Sequence, residues 1–186
     1  MLYTKRGDTG LTDVCGPSGP ARASKSSALP EALGSLDELN TWLGYCRSLS
    51  QDDETKTLCL ALQHDLFAIQ AELAGASRRL PARRLAEVER TIDAIEQELP
   101  PLSTFCLPGQ TPDAARLDLA RTIARRAERR VVNALETDSA RLADTSLAYL
   151  NRLSSLLFTL ARRANHRAGV PELAPHYYPK ENVAPQ

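Results

Sequence analysis

Apolar residues recur every three or four positions in five stretches of this chain, and polar or Gly/Pro punctuation separates the stretches. Ser35-Leu36-Asp37-Glu38 has the form of a capping box, and Leu36, Leu39, Leu43 and Cys46 follow at helical spacing, predicting a first helix over about 35–50. Asp52-Asp53-Glu54 places negative charge at the start of a second helix carrying Leu58, Leu62, Leu66, Ile69 and Leu73, ending near Gly75. A more polar third helix, about 82–99, buries Leu85, Val88, Ile92, Ile95 and Leu99 before Pro100-Pro101 stops it. Thr111-Pro112-Asp113 opens a fourth helix with a hydroxyl cap, Pro at the first helical position and an early carboxylate. Leu117, Ala120, Ala124, Ala127, Val131 and Leu135 continue it. The fifth helix, about 144–168, carries Leu150, Leu153, Leu157, Leu160 and Ala164 and ends at Gly169 and Pro171.

Short connections and absent strand signals make an all-α, five-helix antiparallel bundle the simplest architecture. The chain is expected to be one domain, 1–186, with a leading segment 1–34, a bundle 35–169 and a frayed tail 170–186. The leader holds Gly7, Gly10, Gly16, Pro17, Gly19, Pro20 and Pro30, which spells loop and turn chemistry with no stable helix.

Charge changes this picture locally rather than globally. Lys plus Arg number 23 and Asp plus Glu 23, so any anion site must come from clustering, and a nucleic-acid module built on the Arg-rich helix fits poorly. Cys15, Cys46, Cys59 and Cys106 show no CxxC spacing, which fits reduced thiols. With no apolar leader and no run of about 18 apolar residues, a soluble cytoplasmic protein without membrane association is expected.

Candidate chemistry gathers at two places. In the leader, Lys5, Arg6 and Lys25 supply cations, Thr4, Thr9 and Thr12 hydroxyls, and Gly7 and Gly10 let backbone N–H groups curl around an anion. The segment reads equally as a flexible tail, and it lacks the P-loop pattern. On the fourth helix Arg121 and Arg125 share a face with Glu128 one turn beyond, while Arg126, Arg129 and Arg130 point elsewhere. Two guanidinium forks on one face suit a phosphate chain; the competing reading is a solvated helix paired to acids. Asp37 reads either as a helix-dipole partner or as a group orienting an Arg, and Asn151 either as a ligand-facing amide or as a boundary residue. Phe105 reads as a plug at the bundle end ahead of a flat-ligand contact. His64, His166 and His176 lack metal-ligand spacing, and no protein metal site is expected. No nucleophile motif is present either, so the reactive group, if any, belongs to a cofactor.

These segments carry a resemblance. Thr4-Lys5-Arg6-Gly7-Asp8-Thr9-Gly10 resembles the TKxGDxG opening of the PduO-type ATP:cob(I)alamin adenosyltransferases, and residues 31–40 resemble their EAxGxxDELN. Phe105-Cys106-Leu107-Pro108-Gly109 is similar to FxLPG, residues 120–130 to ARxxxRRAERR, and residues 149–154 to YLNRLS. The resemblance implies a homotrimer of ferritin-like helical bundles with a long N-terminal nucleotide-binding loop. It also implies transfer of the 5′-deoxyadenosyl group of ATP to cob(I)alamin, with Mg2+ on the nucleotide, release of triphosphate and an electron-donating reductase as partner. It places Thr4, Lys5, Gly7, Asp8, Gly10, Thr12, Lys25, Arg121, Arg125, Glu128 and Asn151 around the nucleotide, pairs Asp37 with Arg121 across a subunit interface, and turns Phe105 to the corrin and its lower axial ligand. Ser155 stands where the family commonly has Asp, Ser26 and Ser27 follow Lys25 where acids are frequent, and Gly16–Pro20 is an unusual loop. These departures imply altered nucleotide affinity with activity retained, the alternative being a non-catalytic corrinoid or nucleotide carrier on the same bundle.

Overall fold

The computed structural model describes residues 3–16, 19–138 and 140–178. A two-stranded antiparallel hairpin, β1 (Leu11–Gly16) and β2 (Gly19–Ser24), leads into α1 (Ala28–Leu49), α2 (Asp53–Leu73), α3 (Arg83–Glu98), α4 (Pro112–Thr137) and α5 (Asp144–Arg167). Contacts run α2 to α1, α1 to α4, α4 to α5 and α5 to α3. The five-helix bundle agrees with the pattern of apolar positions, and four helices begin and end within about two residues of their expected bounds.

The central element is α5, buried nearly all round, its core-facing residues including Tyr149, Leu150, Leu153, Leu156, Leu157 and Leu160. A helix in that position can carry polar side chains only where each finds a partner. Tyr149 Oη donates to Asp65 Oδ2 at 2.6 Å, and Arg84 of α3 grips the same carboxylate through Nε and a terminal nitrogen. Ser146 Oγ and the Ala143 amide both donate to Glu72 of α2. Arg163, 1% exposed, donates to Glu54 Oε1 at 2.7 Å. By contrast α4 buries a thin stripe dominated by alanines, Ala114, Ala120, Ala124, Ala127 and Ala134, so it lies close between α1 and α5 and leaves its outer face to arginines.

The leader corrects the sequence reading. The first helix starts at Ala28, not Ser35, because Pro30 lies in the first turn, where its missing N–H has no intrahelical partner to lose. Ser35 is therefore no cap; inside the helix its Oγ donates back to Glu31 O at 2.8 Å. The cap comes from far along the chain: Leu29 N–H donates to Asp138 Oδ2, 2.7 Å, at the end of α4. The expected loop also contains the hairpin, in which Asp13 pairs directly opposite Arg22 and is gripped by Arg6 and Arg22 together. Alternation is too short and too diluted by Gly and Pro to announce such strands. Residues 17–18 of the expected Gly-Pro loop and 179–186 of the expected tail lie outside the described residues. Residues 172 and 173, expected to fray, are tied to the fold by hydrogen bonds to Arg162 and Leu107.

Among the described residues no helix is long and apolar enough to cross a membrane. Cys46 and Cys59 are buried free thiols in α1 and α2, and burial pushes them up to about 11 and about 12.

Asp138→Ala, which removes the cap of α1, is expected to cost about 1 kcal/mol, read as a lower urea midpoint at unchanged slope. Glu54 is held below the usual carboxylate range by the Arg163 hydrogen bond and by Arg167, against the opposing effect of burial. The folded state therefore takes up its proton at lower pH than the unfolded chain, so this stability is present above about pH 4 and lost as pH falls through the folded pKa. Glu54→Gln should flatten the dependence of Tm on pH between about 5 and 2.

Candidate functional site

The outer face of α4 meets the loop 102–110 and the side of α5 around a cavity of about 460 Å³. Arg121 and Arg125 border it, one turn apart, as their spacing requires. Arg121 is oriented from two sides: its Nε donates to Asp118 Oδ1 at 3.0 Å, and its guanidinium carbon stands 5.8 Å from the centroid of the Phe158 ring. Among the described residues Arg125 forms no hydrogen bond or ion pair, which leaves its fork available. Leu102, Phe105, Leu107 and Phe158 form the apolar part of the wall.

Phe105 is 77% exposed, which overturns its reading as a plug for the bundle end. An aromatic ring held open beside a cavity of this size is a surface for an apolar ligand. Its loop turns back at Gly109, whose φ of 88° is strained for any residue with a Cβ, and closes through Gln110 Nε2 donating to Leu107 O at 3.1 Å. Thr111 then caps α4 by accepting from Ala114 N and donates its own hydroxyl to Asn165 of α5, which joins the loop end to the helix behind the cavity.

A second, polar cavity of about 270 Å³ adjoins the first, lined by Arg125, Glu128, Arg129, Val132 and Asn151. Asn151 Nδ2 donates to Glu128 Oε1 at 2.8 Å, and Asn151 Oδ1 accepts from Arg152 at 2.8 Å, so the amide is fixed in one orientation. Arg125 belongs to both cavities. Arg129, expected to point away, lines this one; Arg126 does leave the site and pairs with Glu38 of α1.

The leader residues gather separately. The Lys25 amide donates to Gly10 O at 2.9 Å, and the Lys25 ammonium lies over Gly7 so closely that a Cβ there would stand 3.0 Å from Nζ. Lys5 sits in left-handed backbone at φ 60°, with Asp8 N donating to its carbonyl, and the Arg6 amide reaches Thr4 Oγ1. Thr4, Lys5, Asp8 and Gly10 are exposed, and Thr12 is half-buried on β1. Among the described residues no hydrogen bond or ion pair joins residues 3–27 to α4 or α5. Asp37 lies exposed on α1, and within the chain Arg121 pairs with Asp118.

Sequence reasoning missed Asp118, Phe158 and Arg129. Asp118 had a legible signal, an acid three residues before an arginine on one helix. Phe158 had none, because an aromatic beside Leu157 reads as core until the cavity shows which way it faces. Among the described residues no group of three or more His, Cys, Asp or Glu side chains is arranged to hold a metal ion.

Comparison with known proteins places this geometry. The family model described as cobalamin adenosyltransferase matches residues 2–164. A corrinoid adenosyltransferase of Bacillus subtilis is 40% identical over 181 residues, covering 92% of this chain and 90% of that protein. The corrinoid adenosyltransferase PduO of Salmonella typhimurium is 38% identical over 179 residues, 91% of this chain but 52% of that protein; the chain spans about half the length of this relative and of the Citrobacter freundii PduO. Among solved structures, a variant PduO-type ATP:corrinoid adenosyltransferase from Lactobacillus reuteri, complexed with cobalamin and ATP, superposes with a TM-score of 0.85 at 32% identity, covering 94% of this chain and 96% of that one.

Inorganic triphosphate is expected to bind at the Arg121–Arg125 face with an affinity that falls as salt rises. Arg125→Ala should weaken it about tenfold by isothermal titration, the loss of one charge-assisted contact.

Proposed function

This chain belongs to the cobalamin adenosyltransferase family, and on that premise we propose that it transfers the 5′-deoxyadenosyl group of ATP to the cobalt of cob(I)alamin, releasing triphosphate. The observation that carries the reading is the position of Arg125, shared between a cavity of about 460 Å³ with an apolar wall and one of about 270 Å³ lined mostly by polar side chains. A corrin ring needs an apolar wall and a nucleotide a polar one, and a residue common to both cavities stands where the two substrates meet.

In this reading the Co(I) lone pair attacks C5′, the C5′–O5′ bond breaks, the electron pair leaves with triphosphate, and cobalt becomes formally Co(III). Cobalt is the nucleophile, so the protein contributes alignment and stabilisation of the leaving charge. Arg125 and Arg121 take that charge, with Asp118 and the Phe158 ring holding Arg121 in place. Glu128 and Asn151, locked to each other, position the nucleoside side of ATP. Phe105 and Leu107 form the wall against which the corrin rests, excluding water and the lower axial ligand.

Mg2+ fits as an ion that arrives with the nucleotide, since the donors present are single carboxylates such as Glu128 rather than a protein cage. When bound it would neutralise phosphate charge. The leader set of Thr4, Lys5, Gly7, Asp8, Gly10, Thr12 and Lys25 completes the nucleotide site in a homotrimer, where Asp37 pairs with Arg121 of the partner subunit. That Asp37 makes no ion pair within the chain, among the described residues, and that no hydrogen bond joins residues 3–27 to α4 are compatible with that assembly. The chain works as one domain, 1–186, in the cytoplasm, with a reductase supplying the electron. Ser155 on the cavity wall favours the only second reading, a corrinoid or nucleotide carrier without turnover.

Cob(I)alamin kept reduced, with ATP and Mg2+, should show the absorbance change from Co(I) to adenosylcobalt only when ATP is present. Arg125→Ala should cut turnover by about 10²-fold. Binding of both substrates with no alkylcobalt spectrum would replace the enzyme by the carrier.

A further inference from the structure

We propose that Arg162 and Glu172 form a positioning pair that holds the Phe105 loop against the large cavity and so sets the affinity for the corrinoid; this rests on the reading of that cavity as the corrinoid site. Arg162 projects from α5 with its side chain 7% exposed, at the cavity wall. Its Nε donates to Glu172 Oε1 at 2.5 Å and its NH2 group to Glu172 Oε2 at 3.2 Å, a bidentate grip on the segment that follows α5. The same NH2 group donates to Pro100 O at 2.8 Å, where the chain leaves α3 and enters the Phe105 loop. One residue beyond Glu172, the carbonyl of Leu173 accepts from the Leu107 amide at 2.7 Å, two positions past Phe105.

One guanidinium therefore fixes both ends of the loop: its start directly, and its far side through a strap made of residues 172 and 173. Among the described residues these are the backbone hydrogen bonds that tie residues 100–108 to elements outside the loop. Arg162, Glu172, Phe105 and Leu107 all line the cavity. The Cys106 thiol, between the two apolar residues, is pushed up by burial and by the Glu172 carboxylate.

The physical consequence is directional. A guanidinium buried to this extent needs its counter-charge, and removing that charge releases the strap and with it the Leu107 hydrogen bond. The exposed Phe105 ring has little packing of its own to hold it, so its position relaxes with the loop. In the proposed function ATP meets Arg121, Arg125, Glu128 and Asn151 on α4 and α5, and among the described residues none of these four is hydrogen-bonded to the strap. Loss of the pair should therefore separate the two substrates.

Glu172→Gln in the full chain is the direct test, with Arg162→Lys as a second variant that keeps the charge but loses the fork. In Glu172→Gln the Leu107 amide should exchange with deuterium about tenfold faster, with α4 and α5 amides unchanged, and the KM for cob(I)alamin should rise about tenfold while the KM for ATP stays put. Arg162→Lys should fall between wild type and Glu172→Gln in both readouts. Unchanged Leu107 exchange, or equal shifts in both KM values, overturns the proposal. A wild-type chain that binds cob(II)alamin without turnover sinks the enzyme reading alone. The strap is then decided by the exchange rate together with the Kd for cob(II)alamin, expected to rise about tenfold in Glu172→Gln.

Discussion

The structure depends on α5 being surrounded. A helix with leucines on every side can sit at the centre of a small bundle, and the long polar side chains it carries there must then reach partners on other elements. Tyr149 draws in Asp65 and through it Arg84, Ser146 draws in Glu72, Arg163 draws in Glu54, and Arg162 draws in Pro100 and Glu172. These bonds decide where α2, α3, the Phe105 loop and the segment after α5 lie. The hydrophobic effect collapses the bundle without direction, and the buried polar groups of one helix give the collapse its register.

The division of α4 into two faces follows from the same packing. Its inner stripe of alanines fills little volume, so the backbone approaches α1 and α5 closely, and Arg121, Arg125 and Arg129 of its outer face come to the rims of the two cavities. Arg121 is then held by an acid from its own helix and an aromatic from α5, while Arg125 keeps its fork open. A guanidinium fixed before the ligand arrives loses less conformational freedom on binding, and that preorganisation gives a site on rigid helices its advantage over one on a loop. The exposed Phe105 is the counterpart: apolar area beside the cavity that the fold itself leaves in water.

How legible this was varies by element. The start of α4 could be read residue by residue, since Thr111, Pro112 and Asp113 each do there what local chemistry predicts. The start of α1 could not, because its cap is Asp138, more than a hundred positions away, and the apparent capping box at Ser35 is a side chain turned back on its own helix. The pairing of Arg121 with Asp118 was within reach, being local on one helix. The strap from Arg162 through Glu172 and Leu173 to Leu107 joins residues with no shared periodicity and left no trace in the pattern.

The order of residues alone determined the five helices, their inner faces, the placement of two arginines one turn apart and, through the ordered motifs, the family. All of these rest on interactions within a few turns of chain, where spacing is geometry. Only the tertiary structure decided which way Phe105 and Phe158 face and that Arg125 lines two cavities at once. Those outcomes depend on how helices distant in sequence approach one another, and close packing around α5, with the hydrogen bonds its buried polar groups make, selects that approach.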